Sequence, residues 1–330
     1  MRLKSPFGIS RGVRVTVENV FINLDGHWGE AVPVAYHGHT TELLQTSGEA
    51  ICVPESFAVR PEEAIQQISK QIGGFRPVLA AMDMAIHDAW AANQGKTLLQ
   101  MWGLAEKNAP PSSFTIGLGK PEEMAEKVES APDFPILKVK LGAPNDLERL
   151  TAIRNATGKR IRVDANEGWD RESANWWIEQ LADWDVELVE QPLPRDDHEG
   201  LRDLFKRNKG RVPIILDESV QTGSDVAQAL GIADGINIKL AKCGGLLEAR
   251  KMISSARNLG LLVMVGCMVE SSLGISAAAH IAPLADFVDL DGAALLADDP
   301  FDGVRFEQGY ARFSNRPGLG AVLREEAGSG

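Results

Sequence analysis

ILKVKLG, residues 136–142, is short, apolar and β-branched, the composition of a strand buried on both faces. Lys138 and Lys140 stand two positions apart within it, so on a strand both ammonium groups leave from the same side. A buried ammonium is costly unless it is paired. The identity of the partners is the question on which the fold and the chemistry both turn.

Around this stretch the chain repeats strand, turn and helix. FTIG is followed by KPEEMAEKVES, ILKVKLG by NDLERLTAIRNATG, RIRVDAN by RESANWWIEQLADW, and ELVEQP by DHEGLRDLFKRN. VPIILDES then precedes SDVAQALG, INIKLAK precedes GGLLEARKMISSARNLG, LLVMVGC precedes SSLGISAAAHIA, and DFVDLDG ends the series. In the second unit Asp146 is expected to cap the helix start and Gly158 its end. Eight short strands joined by helices suit right-handed parallel crossovers, and the even pitch favours a closed barrel over an open sheet. Lys140, Asp164, Glu190 and Asp217 follow one another at intervals of 24, 26 and 27 residues.

Before residue 110 the character differs. GVRVTVENVFINLDGHWGEAVPV alternates through an Asn-Leu-Asp-Gly turn, as antiparallel strands do, and PEEAIQQISKQIGGFRPVLAAMDMAIHDAWAANQG reads as helices beginning at Pro61. The expected fold is therefore α/β: a modified (β/α)7β-type TIM barrel over 111–299, with an α+β capping domain over 1–110. The Ala-Pro-Pro-Ser-Ser run at 109–113 marks the boundary, and the tail, 300–330, is read as returning to the cap.

The 330 residues carry a net charge of −12, which gives no basic footprint for nucleic acid or an anionic membrane. Cys52, Cys243 and Cys267 lie far apart, so neither a disulfide framework nor a structural zinc site is indicated. No continuous apolar stretch reads as a leader or a membrane span, and a cytoplasmic protein is the default expectation.

Barrel enzymes build their sites at the C-terminal ends of the strands. Here those ends carry Lys138 and Lys140, Asp164, Glu190, Asp217 with Glu218, Lys239, and finally Asp289 with Asp291. One such carboxylate would be a solvated rim residue. Three on consecutive strands repel one another unless a cation lies between them, and hard oxygen ligands suit Mg²⁺. The second and sixth strands lie on opposite walls of an eight-stranded ring, so Lys140 and Lys239 face each other across it. Two such lysines remove a proton from one face of a carbon and return it to the other, provided that the accepting amine is held below its ordinary pKa. A neighbouring ammonium plus a divalent cation push it down, and Lys138 is such a neighbour for Lys140. Asp289 and Asp291 offer a dicarboxylate to a cationic group, although Asp-Gly at 291–292 is also a common turn.

KVK at 138–140, DAN at 164–166, VEQP at 189–192, DES at 217–219 and NIKLAKCGG at 237–245 resemble the muconate lactonizing enzyme subgroup of the enolase superfamily. HWGEA and MDMAIHDAW resemble that superfamily's capping domain. The resemblance implies that Lys140 and Lys239 are the acid/base pair, that Asp164, Glu190 and Asp217 bind Mg²⁺, and that Lys138 orients a substrate carboxylate. DLD at 289–291 resembles the signature of dipeptide epimerases, whose aspartates hold a substrate α-ammonium. Thr115 and the Cys267–Met268 pair fall where those enzymes contact substrate. Arg11 corresponds in place to an arginine that Ala-Glu epimerases use for the glutamate side chain, although its spacing from Pro6-Phe7 departs from that pattern. A surface arginine beside a loop is the alternative.

The implied activity is 1,1-proton transfer at the α-carbon of a dipeptide's C-terminal residue, with homo-oligomers common among such proteins. Muconate cycloisomerase, o-succinylbenzoate synthase and N-acylamino acid racemase reuse the same lysines and metal. They are the alternatives, with a non-catalytic small-molecule binder as a further one. His37 and His39 lack matching ligands, His87 reads as structural, and only one of Trp176 and Trp177 can face inward. Gly244–Gly245 fits a tight strand-to-helix turn, and Cys243 has no base beside it.

Overall fold

The computed structural model describes residues 1–9, 12–34, 37–131 and 133–325. Two antiparallel pairs begin the chain: β1 (Arg2–Ile9) with β2 (Gly12–Thr16), and β3 (Val20–Leu24) with β4 (His27–Ala31). The second pair turns through Asp25 and Gly26, both at positive φ, with Asn23 Oδ1 accepting the Gly26 N–H at 3.0 Å. Four helices follow, α1 (Thr41–Glu49), α2 (Pro61–Ser69), α3 (Arg76–Ala92) and α4 (Leu98–Trp102). α3 is buried along most of its length against β4. The approach needs Gly29, because a Cβ there would lie 1.8 Å from the Ala81 carbonyl oxygen.

Eight parallel strands form the second unit: β5 (Ser113–Ile116), β6 (Ile136–Lys140), β7 (Arg160–Asp164), β8 (Val186–Glu190), β9 (Ile214–Leu216), β10 (Gly235–Lys239), β11 (Leu262–Gly266) and β12 (Phe287–Asp289). They lie in sequence order, and a parallel bridge between Ser112 and Val288 closes the ring. Between them run α5 (Pro121–Glu129), α6 (Asp146–Ala156), α7 (Arg171–Asp183), α8 (His198–Asn208), α9 (Leu240–Cys243), α10 (Leu246–Asn258) and α11 (Ser272–Ala279). This is the modified TIM barrel with an N-terminal cap. Trp177 is buried and Trp176 is exposed, as adjacency on a helix requires.

Three local expectations are corrected. The segment after β9 is a 3₁₀ run, Gly223–Ala229, and not an α-helix; Asp225 ties its start by accepting the Gln221 and Thr222 N–H groups at 3.1 and 2.9 Å. The N-cap of α6 is Asn145, not Asp146, whose buried carboxylate turns back to the loop after β6 and accepts Gly142 N–H at 2.7 Å and Trp169 Nε1–H at 3.1 Å. Its C-cap is Thr157, one residue before Gly158.

After β12 the chain runs back over the N-terminal strands. Phe301 packs its ring on Phe21 and Trp28, with centroids 5.2 and 5.9 Å apart, and Phe301–Asp302 pairs with Val322–Leu323. Among the described residues no helix is long and apolar enough to cross a membrane.

Two buried carboxylates fasten the N-terminal unit to the barrel's open face, each at a helix start whose N–H groups would otherwise lack acceptors. Asp83 on α3 accepts from Leu246 N–H and Leu247 N–H at 2.8 and 3.0 Å, capping α10. Gly245 makes room: its φ is +116°, and a Cβ there would meet Asp83 Cβ at 2.5 Å. Glu30, from HWGEA, accepts from Ser271 N–H, Ser271 Oγ–H and Gly274 N–H at the start of α11. Replacing Asp83 by Ala should cost about 2–5 kcal/mol, since two bonds to a buried charged acceptor are lost and two N–H groups are stranded. Urea unfolding measures it, and a change below about 0.5 kcal/mol would contradict this role.

Candidate active site

The strand register assembles the charges before any side chain is considered. Lys140 lies beside Asp164, and Asp164 beside Glu190, in one row across β6, β7 and β8. Lys239 and Asp289 flank Gly266 in the corresponding row across β10, β11 and β12. Thr115 on β5 neighbours Lys138. Because these positions share the inward face at the C-terminal ends, the side chains converge on the barrel mouth.

All of them are buried, so each charge needs compensation. Lys138 Nζ lies 2.7 Å from Asp289, 2.8 Å from Glu190 and 3.0 Å from Asp164. Lys140 Nζ donates to Asp164 Oδ2 at 2.6 Å, and Lys239 Nζ to Asp217 Oδ2 at 2.8 Å. Two further residues join them. Asn237 Nδ2 donates to Glu190 Oε1 at 2.9 Å, and Lys242 Nζ binds both Asp217 Oδ1 and the Asp217 carbonyl. Asn237 is readable in the sequence, since it stands two residues before Lys239 and shares its face; Lys242 sits on α9, a helix of one turn directly after the strand, where no periodicity points to it.

Burial alone would raise the Asp164 and Asp217 carboxyls, but the lysines beside them hold both well below the ordinary carboxylate range. Glu190 goes the other way: burial first, then repulsion from Asp164, pushes it up to about 7. Burial would also lower Lys138, yet Asp164, Asp289 and Glu190 together hold it well above the ordinary lysine range. Lys239 is likewise raised, because burial is outweighed by Asp217 and Glu190. The Lys138 charge does pull Lys239 down, but less than the carboxylates push it up. Lys138 is thus the counter-ion of three carboxylates.

The donor set fits a hard divalent cation: three buried carboxylates from three strands, crowded enough to raise one of them. Glu190 Oε2 is buried, accepts no aligned hydrogen bond, and has the Lys138 ammonium 2.8 Å away as a stand-in cation. Among the described residues no three His, Cys, Asp or Glu side chains are arranged to hold a metal ion; Asp164, Glu190 and Asp217 are ion-paired with Lys138, Lys140 and Lys239 instead.

Across the mouth, Asp289 Oδ1 accepts from Ser113 Oγ at 2.7 Å and Asp291 Oδ2 accepts the Thr115 N–H at 2.6 Å. Burial would raise Asp289, but the charge and hydrogen bond of Lys138, with Ser113 and Lys140 adding to them, hold it below its usual range. Burial and the Asp289 charge push Asp291 up to about 7. Cys267 and Met268 follow β11 half-buried, and the Met268 N–H is fixed by Glu270 Oε1 at 2.8 Å. Burial, then Asp291, raises the Cys267 thiol well above its normal range, so it is no thiolate. Arg11 lies outside the described residues.

Beside β8 and β9 a polar cavity of about 430 Å³ opens under the N-terminal unit, with His37, Arg76, Arg195, Glu218 and Gln221 in its wall. His37 and Arg76 both bind Gln221 Oε1, at 2.6 and 3.2 Å. His87 is buried on Asp83 and lies outside the mouth.

Residues 122–327 match the enolase C-terminal domain-like family. The chain is 38% identical to a hydrophobic dipeptide epimerase of Roseobacter litoralis, over 98% of this chain and 96% of that one. It is 35% identical to an L-Ala-D/L-amino acid epimerase of Flavobacterium johnsoniae, over 98% and 97% of the two. Among solved structures, a dipeptide epimerase from Enterococcus faecalis V583 complexed with Mg and the dipeptide L-Leu-L-Tyr superposes with a TM-score of 0.88 at 32% identity, covering 98% of this chain and 96% of that one. The chain belongs to the enolase superfamily, within its dipeptide epimerase family.

Proposed function

We propose that this protein is a Mg²⁺-dependent dipeptide epimerase that inverts the α-carbon of the C-terminal residue by 1,1-proton transfer. One observation carries the reading: a buried row of three carboxylates, Asp164, Glu190 and Asp217, has Lys140 ion-paired at one end and Lys239 at the other. Asp164, Glu190 and Asp217 hold the metal, which when bound supplies positive charge against the negative charge that develops on the substrate carboxylate as the α-proton leaves.

The chain's own residues do the rest. Lys140 and Lys239 stand on opposite walls, so one accepts the proton at Nζ and the other delivers one to the opposite face. Accepting requires a neutral amine. The accepting lysine must therefore first leave its ion pair, with Asp164 for Lys140 and with Asp217 for Lys239. Lys138, already a counter-ion to carboxylates, orients the substrate carboxylate. Asp289 and Asp291 take the substrate α-ammonium, and a cation beside Asp291 relieves the repulsion that raises it. Thr115 fixes Asp291 through its N–H, while Cys267 and Met268 border the substrate. Arg11 is assigned to the C-terminal side chain. Residues 111–299 form the catalytic barrel, and 1–110 with 300–330 form the cap.

The alternatives within the superfamily lose support at the Asp-Leu-Asp pair. An N-acylated or dianionic substrate brings no cation to it and is repelled by it.

Lys140→Ala and Lys239→Ala should each lower kcat for epimerisation by about 10²–10⁴-fold or more with the fold intact by circular dichroism. Solvent deuterium exchange should survive in each for at most one of the two epimers, since one base still serves one face. Full epimerase activity in both variants would exclude the two-base mechanism. Asp291→Asn should raise the dipeptide KM about 10–100-fold, the loss of one charged hydrogen bond. It should also stabilise the protein at pH 8. The Asp291 carboxyl is raised from 3.8 to about 7, so the folded chain keeps a proton that the unfolded chain releases. Stability therefore falls as pH rises from about 4 to about 7, and an amide abolishes that fall. Equal melting temperatures of variant and parent at both pH 4 and pH 8 would contradict the account of Asp291.

A further inference from the structure

Directly after Glu190 stands Gln191, fully buried and with φ +36°, a backbone conformation that costs a side-chain-bearing residue free energy. A glycine would adopt it more cheaply. What glycine lacks is the amide, and here every polar capacity of that amide is used. Oε1 accepts from Asp217 N–H at 3.0 Å and from Ser219 N–H at 3.2 Å, while Nε2 donates to Leu193 O and to Ser219 Oγ, both at 2.9 Å.

The backbone explains why a side chain is needed. Gln191 N–H donates to Ile215 O at 2.9 Å, the last regular step between β8 and β9. A continued parallel ladder would bring Asp217 N–H to the Gln191 carbonyl. At φ +36° that carbonyl is swung away and accepts Glu167 N–H at 3.0 Å instead, tying β8 to the end of β7. The side-chain oxygen replaces it for Asp217. One residue thus joins the ends of β7, β8 and β9, the three strands that carry Asp164, Glu190 and Asp217.

We infer that Gln191 is a positioning residue for the metal-binding carboxylates: its buried amide sets the place of Asp217 relative to Glu190 without touching metal or substrate. This rests on the assignment of Asp164, Glu190 and Asp217 as the Mg²⁺ ligands.

The test is calorimetric titration of Mg²⁺ into the full chain without substrate, for the parent, Gln191→Gly and Gln191→Asn, with melting temperatures alongside. Glycine keeps the turn and removes the amide; asparagine tolerates the turn but is too short to span both loops. Both variants should fold, bind Mg²⁺ about 10–100-fold more weakly, and regain kcat to within several-fold at saturating Mg²⁺. Mg²⁺ affinity within twofold of the parent in both variants would overturn the inference, whatever the melting temperatures. So would failure of both to fold, since the amide would then be holding the barrel together. A parent that binds no Mg²⁺ would remove the metal assignment itself, and the inference with it, before any variant is compared.

Discussion

Everything at the barrel mouth follows from one constraint: charges that converge in a dry space must neutralise one another. The strand register leaves no freedom in this. Once Lys140, Asp164 and Glu190 occupy paired positions on adjacent strands, their side chains meet, and unpaired they would cost several kcal/mol each. The structure answers with Lys138 among three carboxylates and Lys239 and Lys242 on Asp217. Among the carboxylates assigned to metal and substrate, Glu190 and Asp291, both raised to about 7, are where compensation is least complete. A site left short of positive charge at two separate points is suited to a substrate and a cation that supply it.

The N-terminal unit follows from the same economy. The barrel's helix starts lie around the mouth and leave N–H groups to be satisfied. Glu30 and Asp83 satisfy them at α11 and α10. These contacts seat the unit over the mouth, where the ion-paired side chains are buried, and burial strengthens each pair.

How much of this was legible in the sequence differs by residue. The barrel was, because eight apolar runs at a steady pitch leave few topologies, and so were the strand-end charges, because a lysine or aspartate inside an apolar run stands out. The part played by Lys138 was not. Its two-residue spacing from Lys140 gave its direction, but its partners are three carboxylates brought together only by ring closure. Lys242, Gln191 and Asp83 were silent for a related reason: each acts from a turn or a second element on a backbone group distant in sequence, and no period records that. Asp146 looked like a helix cap because aspartates often are, and the turn after β6 took its carboxylate instead. The 3₁₀ run after β9 reads as a helix in the sequence because a segment of seven residues, Gly223–Ala229, carries too few turns for the pattern to discriminate.

The most direct measurement is proton NMR in D₂O with Mg²⁺, on a panel of L,L-dipeptides with acidic, basic and apolar C-terminal residues. The account predicts deuterium at the C-terminal α-carbon together with appearance of the L,D isomer, for at least one class in the panel. No exchange with any dipeptide, alongside turnover of an N-succinyl amino acid or a muconate, would contradict it.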